Sequence, residues 1–155
     1  MTLSSDAARL GWGSPDSSST LVQREIVIVR APDLAWDLQV RVNDWPSWQP
    51  QITDAWLGGW MGAGARFQWA TLDNTFDTHV EQFSPGLALS WSAMGDGLSL
   101  IQEWTFTPVG RGVQVIASEL RWGSSVDDSR SGHFASEAFL EAWLGNLQAE
   151  INART

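Results

Sequence analysis

Apolar positions along this chain change period twice, and each change marks an element boundary. Leu21, Val22, Ile26, Val27, Ile28 and Val29 form a β-branched run that predicts a first strand over 21–29. After Ala31 the apolar residues fall on helical spacing at Ala35, Trp36, Leu38 and Val42, with Pro32 and Asp33 suited to the first turn. That helix stops before Asp44. In Asp44-Trp45-Pro46-Ser47-Trp48-Gln49-Pro50-Gln51-Ile52 two indoles flank a proline, which predicts a second helical turn and a rigid aromatic elbow over something apolar. Strands follow over 52–58, 64–71, 75–83, 87–93, 98–108 and 112–122. Between them stand Gly58-Gly59, Asp73-Asn74, Pro85-Gly86, Gly95-Asp96-Gly97 and Gly110-Arg111-Gly112, all turn formers. Connections this short force antiparallel pairing, because a parallel crossover needs about a dozen residues. From about Ser131 to Ala153 helical spacing returns, and Phe139, Leu140, Trp143, Leu144, Leu147 and Ile151 form one wide stripe on a helix roughly 34 Å long.

A seven-stranded antiparallel sheet with one apolar face needs a cover, and the long helix has the length and the stripe to provide it. The expected fold is α+β, a helix-grip architecture with a curved sheet wrapped around a C-terminal helix and two short helices after the first strand. Residues 1–20 lack periodicity and read as a flexible tail, leaving 21–155 as one ligand-binding domain; 123–131 read as a polar linker. Trp12 is either a stray exposed indole or part of a tail folded back over the body.

Strand parity then sorts the interior. With Leu98, Leu100, Gln102, Trp104 and Phe106 facing inward, a turn at 109–112 sets Phe106 opposite Val115, Trp104 opposite Ala117 and Gln102 opposite Glu119. A turn at 94–97 sets Leu100 beside Trp91 and Gln102 beside Leu89, and one strand further Val80 beside Leu89 and Thr78 beside Trp91. Gln102 and Glu119 are the polar pair inside. A buried carboxylate must find a hydrogen-bond partner, hold its proton, or both, and the Gln102 amide can donate to it. The pair is either an internal contact that orients two strands or a general base or acid with its aligning amide. Arg121 shares the parity of Glu119 and would keep it ionised; Arg66 is the other cation expected near the pocket. Trp69, Trp91, Trp104 and Trp143 point inward. Each ring taken singly reads as core packing; together, with Trp45 and Trp48 near the mouth and with Thr78, Leu100 and Phe139, they suggest a flat aromatic pocket for a planar or polyunsaturated ligand.

Composition removes several chemistries. The chain has 11 Trp, no Tyr, no Cys, and nine basic residues that are all Arg. Phenolic acid/base work, lysine Schiff bases, thiol nucleophiles, disulfides and cysteine metal sites are thereby excluded. His79 faces outward by parity, and His133, at the start of the long helix, faces either solvent or the cavity rim. The two make no metal-ligand spacing, so neither metal nor cofactor is expected. A net charge of −9 without a basic cluster makes nucleic acid a poor partner. No run approaches the ~20 apolar residues of a membrane span, and no secretory signal is visible. A cytoplasmic monomer or homodimer is expected.

The chain resembles the START-like (SRPBCC) superfamily, and within it the bacterial polyketide cyclase/dehydrase-like branch. The resemblance lies in Ala35-Trp36-Asp37-Leu38, the elbow Trp45 to Ile52, Gly64-Ala65-Arg66-Phe67-Gln68-Trp69, Leu89-Ser90-Trp91, Gly97 through Trp104-Thr105-Phe106, Gly112-Val113-Gln114-Val115 and Ser118-Glu119. It spans 22–153 and implies the helix-grip fold around a hydrophobic small molecule. Two positions depart from it: Gln49 stands where relatives often have Asn in the elbow, and Gln102 where many have His, which removes an acid/base imidazole. The resemblance implies a cofactor-independent cyclase or dehydratase acting on a hydrophobic, polyketide-derived substrate, with Glu119 moving a proton and Gln102 aligning it. The alternatives are a non-catalytic carrier or sensor of such a ligand, and an interaction module of the kind that assists chaperones.

Overall fold

The computed structural model describes residues 19–123 and 129–155. Trp12 and the side chain of His133 lie outside the described residues. In chain order the elements are β1 (Thr20–Ile28), α1 (Pro32–Val40), a 3-10 turn (Val42–Asp44), α2 (Trp45–Trp48), β2 (Asp54–Trp56), β3 (Arg66–Ala70), β4 (Thr75–Ser84), β5 (Ala88–Gly95), β6 (Leu98–Val109), β7 (Gly112–Gly123) and α3 (Ser129–Arg154). The seven strands form a single sheet in the order β1-β7-β6-β5-β4-β3-β2, antiparallel throughout. Strands β2 to β7 are a meander in sequence order, and β1 closes on its last strand. Helix α3 packs along β1 and β7, with α1 and α2 against it on the same side. This is the α+β helix-grip arrangement expected from the pattern.

The β6–β7 register matches expectation, with Phe106 opposite Val115, Trp104 opposite Ala117 and Gln102 opposite Glu119. The two neighbouring registers correct it by two residues. Trp91 pairs with Gln102 and Leu89 with Trp104, while Val80 pairs with Trp91 and Thr78 with Ala93. The cause is the tightness of the β5–β6 turn. Asp96 and Gly97 have φ of 55° and 77°, and Gly95 pairs directly with Leu98, so the loop has two residues rather than four. Two left-handed residues make the turn whose twist suits a hairpin. Gly95 is needed beside it, because a Cβ there would run into the Thr75 carbonyl of the adjacent strand end. An irregularity between Val80 and Gln82 re-sets β4 against β5. A slip of two residues leaves every side chain on its face. It does, however, give Gln102 an indole as its neighbour.

The interior is filled by that inner face, the α3 stripe and the elbow. Trp45 and Trp48 do not rim a mouth; they are buried, at 1% and 5% exposure, because positions three apart on a helical turn share one side and that side faces the core. The Trp45 ring lies 4.9 Å from Trp143, 5.6 Å from Phe67 and 5.7 Å from Trp91. The contacts with Trp143 and Phe67 are edge-to-face, the arrangement favoured by the ring quadrupole. Buried amides lock the elbow to the helix. Gln49 donates to the Trp143 carbonyl at 3.0 Å and accepts from Asn146 at 3.0 Å. Gln39 accepts the Trp143 indole N–H at 2.7 Å, and its own carbonyl accepts the Trp45 indole N–H at 3.2 Å.

Candidate ligand-binding site

What the indoles leave open is a cavity of about 340 Å³ at one end of the sheet. It lies between the first turns of α3 and the β3–β4 turn, where Trp69, Phe76, Leu98, Leu100 and Phe139 supply its apolar wall. Trp69 stacks on Phe76 with ring centres 4.4 Å apart and reaches Phe139 at 5.9 Å. Its indole N–H donates to Thr78 Oγ1 at 2.8 Å, which fixes the ring plane. Gln51, Thr71, Asp73 and Asn74 form the polar rim.

Glu119 and Arg121 form the polar side of the cavity. On a strand, residues two apart share a face, so the two side chains meet. Arg121 donates from Nε at 3.1 Å and Nη2 at 2.8 Å to Glu119 Oε2, which also accepts the Ser136 hydroxyl at 2.6 Å. Gln102 donates to Oε1 at 2.7 Å and in turn accepts the Trp91 indole N–H at 2.8 Å. Glu119 is fully buried, and each of its hydrogen-bond partners among the described residues is a donor, the pattern of a carboxylate acting as acceptor. Arg121 supplies the compensating charge. The arrangement is therefore an ion pair on which donors converge, indole to amide to carboxylate from one side, guanidinium and serine hydroxyl to the same carboxylate from the other.

The structure divides the sequence candidates into four groups. Trp69, Leu100, Phe139 and Glu119 line the cavity together with Arg121. Gln102 stands behind Glu119, and Thr78 holds the Trp69 ring. Trp45, Trp48, Trp91, Trp104 and Trp143 belong to the packed core and are absent from the cavity wall. Arg66 and His79 lie at a separate depression with Trp56, Asp77 and Met94, and His79 Nδ1 meets Glu81 at 2.6 Å. Sequence reasoning missed Ser136 and Phe76. Ser136 lies three, four and seven residues before Phe139, Leu140 and Trp143, so helical spacing places it on the buried stripe; Phe76 shares the parity of Thr78. Among the described residues no group of three or more His, Cys, Asp or Glu is placed to hold a metal ion, and no helix is long and apolar enough to cross a membrane.

Similarity to known proteins agrees with this geometry. Residues 19–154 match the family described as polyketide cyclase / dehydrase and lipid transport. No curated protein matches the chain in sequence. In structure it is similar to a START superfamily protein from Mycobacterium smegmatis, with a TM-score of 0.78 and 13% identity over 87% of this chain and 99% of that one. A protein from Thermus thermophilus gives a TM-score of 0.73 and 15% identity over 87% of this chain and 99% of its own. The Zhui aromatase/cyclase from Streptomyces sp. R1128 gives 0.68 and 14% over 88% and 95%. At such identities the structural likeness establishes the fold alone. The sequence match covers nearly all of the described chain, and this protein belongs to the polyketide cyclase/dehydrase and lipid transport family of START-like proteins.

Proposed function

We propose that this protein binds an apolar, flat small molecule in the end cavity and holds it there. The observation that carries this reading is the aromatic wall. Trp69, Phe76 and Phe139 bound about 340 Å³ of space beside a core of packed aromatic rings. That volume falls in the lower part of the range of small-ligand pockets, about 300–1,000 Å³. Holding a ligand fits the polar side better than acid/base chemistry does, because four hydrogen bonds already occupy the Glu119 carboxylate.

Oε1 supports a second reading. Among the described residues it accepts a bond from Gln102 alone, and it belongs to a residue of the cavity wall. In that reading the protein is a bacterial cyclase or dehydratase, and its substrate is hydrophobic and polyketide-derived. The cavity folds the substrate into one reactive conformation, and Glu119 takes up a proton at Oε1. The fold shared with an aromatase/cyclase is compatible with this.

One experiment separates the two. The purified protein is incubated with an apolar small-molecule extract of its source cells and followed by native and chromatographic mass spectrometry. Glu119→Gln and Ala138→Trp, which fills the cavity from its exposed side, serve as controls. A compound retained unchanged by the wild type and lost with Ala138→Trp supports holding. Conversion by loss of water, abolished in Glu119→Gln while binding persists, establishes the second reading. Retention unaffected by Ala138→Trp overturns both.

A further inference from the structure

Resting on that reading, we propose that Arg121 selects the ligand's polar end, and that the site takes an uncharged carbonyl oxygen in preference to a carboxylate. The guanidinium of Arg121 has three nitrogens, all of them donors. Its Nε and Nη2 are committed to Glu119. Nη1 donates to no acceptor among the described residues, and the Arg121 side chain keeps 14% of its surface exposed. The accessible space that Arg121 lines is the cavity. A guanidinium carries only donors, and a ligand that displaces water from Nη1 without supplying an acceptor leaves that N–H unsatisfied.

The charge of the site then chooses among acceptors. Among the described lining residues Arg121 is the only cation, and they also include the acids Glu119 and Asp73. Its charge is already balanced by Glu119 at 2.8 Å. A carboxylate head would meet two acids against one paired guanidinium, an ammonium head would meet the guanidinium itself, and a hydrocarbon would strand Nη1. A ketone, ester or quinone oxygen accepts the bond and adds no charge. The buried carboxylate thus turns an arginine into a neutral-oxygen reader, and Glu119 acts here as a positioning residue.

The test uses three probes with one aromatic body, measured by equilibrium dialysis: 2-acetonaphthone, 2-ethylnaphthalene and 2-naphthoate. The wild type should bind the ketone about tenfold or more tightly than the hydrocarbon, the value of one hydrogen bond to a charged donor. The naphthoate should bind no more tightly than the hydrocarbon. Glu119→Gln frees the guanidinium charge and should shift preference toward the naphthoate. The double variant Glu119→Gln with Arg121→Met loses the donor without burying a lone charge, and its ketone preference should vanish. Equal binding of ketone and hydrocarbon by the wild type, or tightest binding of the naphthoate, overturns the proposal while leaving the cavity reading intact. If none of the three binds to protein shown by circular dichroism to be folded, the cavity reading itself falls.

Discussion

Replacing Arg121 with Met should harm the fold far more than replacing its partner Glu119 with Gln, although both break the same contact. The asymmetry comes from burial. The Glu119 side chain is 0% exposed and that of Arg121 is 14% exposed. Arg121→Met removes two of the four hydrogen bonds on a fully buried carboxylate and the countercharge that faces it. Breaking a buried pair in this way costs about 3–5 kcal/mol. For a chain of this size each kcal/mol lowers Tm by about 2–4 °C, so a fall of about 6–20 °C is expected. Glu119→Gln leaves a guanidinium that can hydrate through the cavity. Its loss should stay near the value of hydrogen bonds to charged groups, about 1–3 kcal/mol. The double variant should be more stable than Arg121→Met alone, because it removes the stranded charge. Urea and thermal unfolding, followed by indole fluorescence and far-UV circular dichroism, measure all four proteins. If Arg121→Met lies within about 1 kcal/mol of wild type, or if the two single effects simply add in the double variant, the carboxylate is not held as described.

Three further outcomes follow from the packing. Trp45→Ala should cost about 3–5 kcal/mol in urea unfolding, since its ring touches those of Phe67, Trp69, Trp91 and Trp143; a loss below about 1 kcal/mol would deny it that central place. Gly95→Ala should abolish or severely weaken folding in thermal melts, because the new Cβ meets backbone rather than a side chain that can swing aside; a wild-type Tm would show that the β4–β5 approach is looser than described. Glu103 sits on the outer face of β6 with Oε1 unpartnered, and burial raises its carboxyl above the ordinary 4.5. The unfolded chain therefore ionises first as pH rises past 4.5, and the native state loses stability until the raised value is passed. Glu103→Gln should raise the urea midpoint at pH 7 and lose that advantage at pH 4; a gain of equal size at both pH values would assign the effect to something other than ionisation.

How much could be read beforehand depended on whether a local rule fixed the feature. The β6–β7 register followed from turn residues and face parity, and with it the Gln102–Glu119 contact. Arg121 was legible for the same reason, being two residues along the same strand face. The β4–β5–β6 register was not, because parity cannot detect a slip of two residues. The signal that could have fixed it, Asp96-Gly97 as a two-residue hairpin turn, competes with Gly95 for the role of turn residue. The elbow's apolar task was legible, but its depth was not. Whether Trp45 rims an opening or plugs it depends on Trp143, which meets it only through the completed fold. Ser136 was overlooked as a small polar residue within an apolar stripe.

Glutamine at position 102 becomes intelligible once the indoles are known to fill the core. Each buried tryptophan brings an N–H that needs an acceptor. Trp143 finds the Gln39 amide oxygen and Trp91 that of Gln102. An amide suits this place because it accepts on one side, donates on the other and does not titrate. Gln102 thus satisfies an indole and passes a donor on to Glu119 in a single residue. A histidine there could serve both neighbours only in one tautomer of its neutral form. Protonation would turn its acceptor nitrogen into a donor facing the Trp91 N–H. The glutamine therefore belongs to an interior rebuilt around tryptophan. With glutamine rather than histidine at 102, the Trp91–Gln102–Glu119 contacts are independent of imidazole titration.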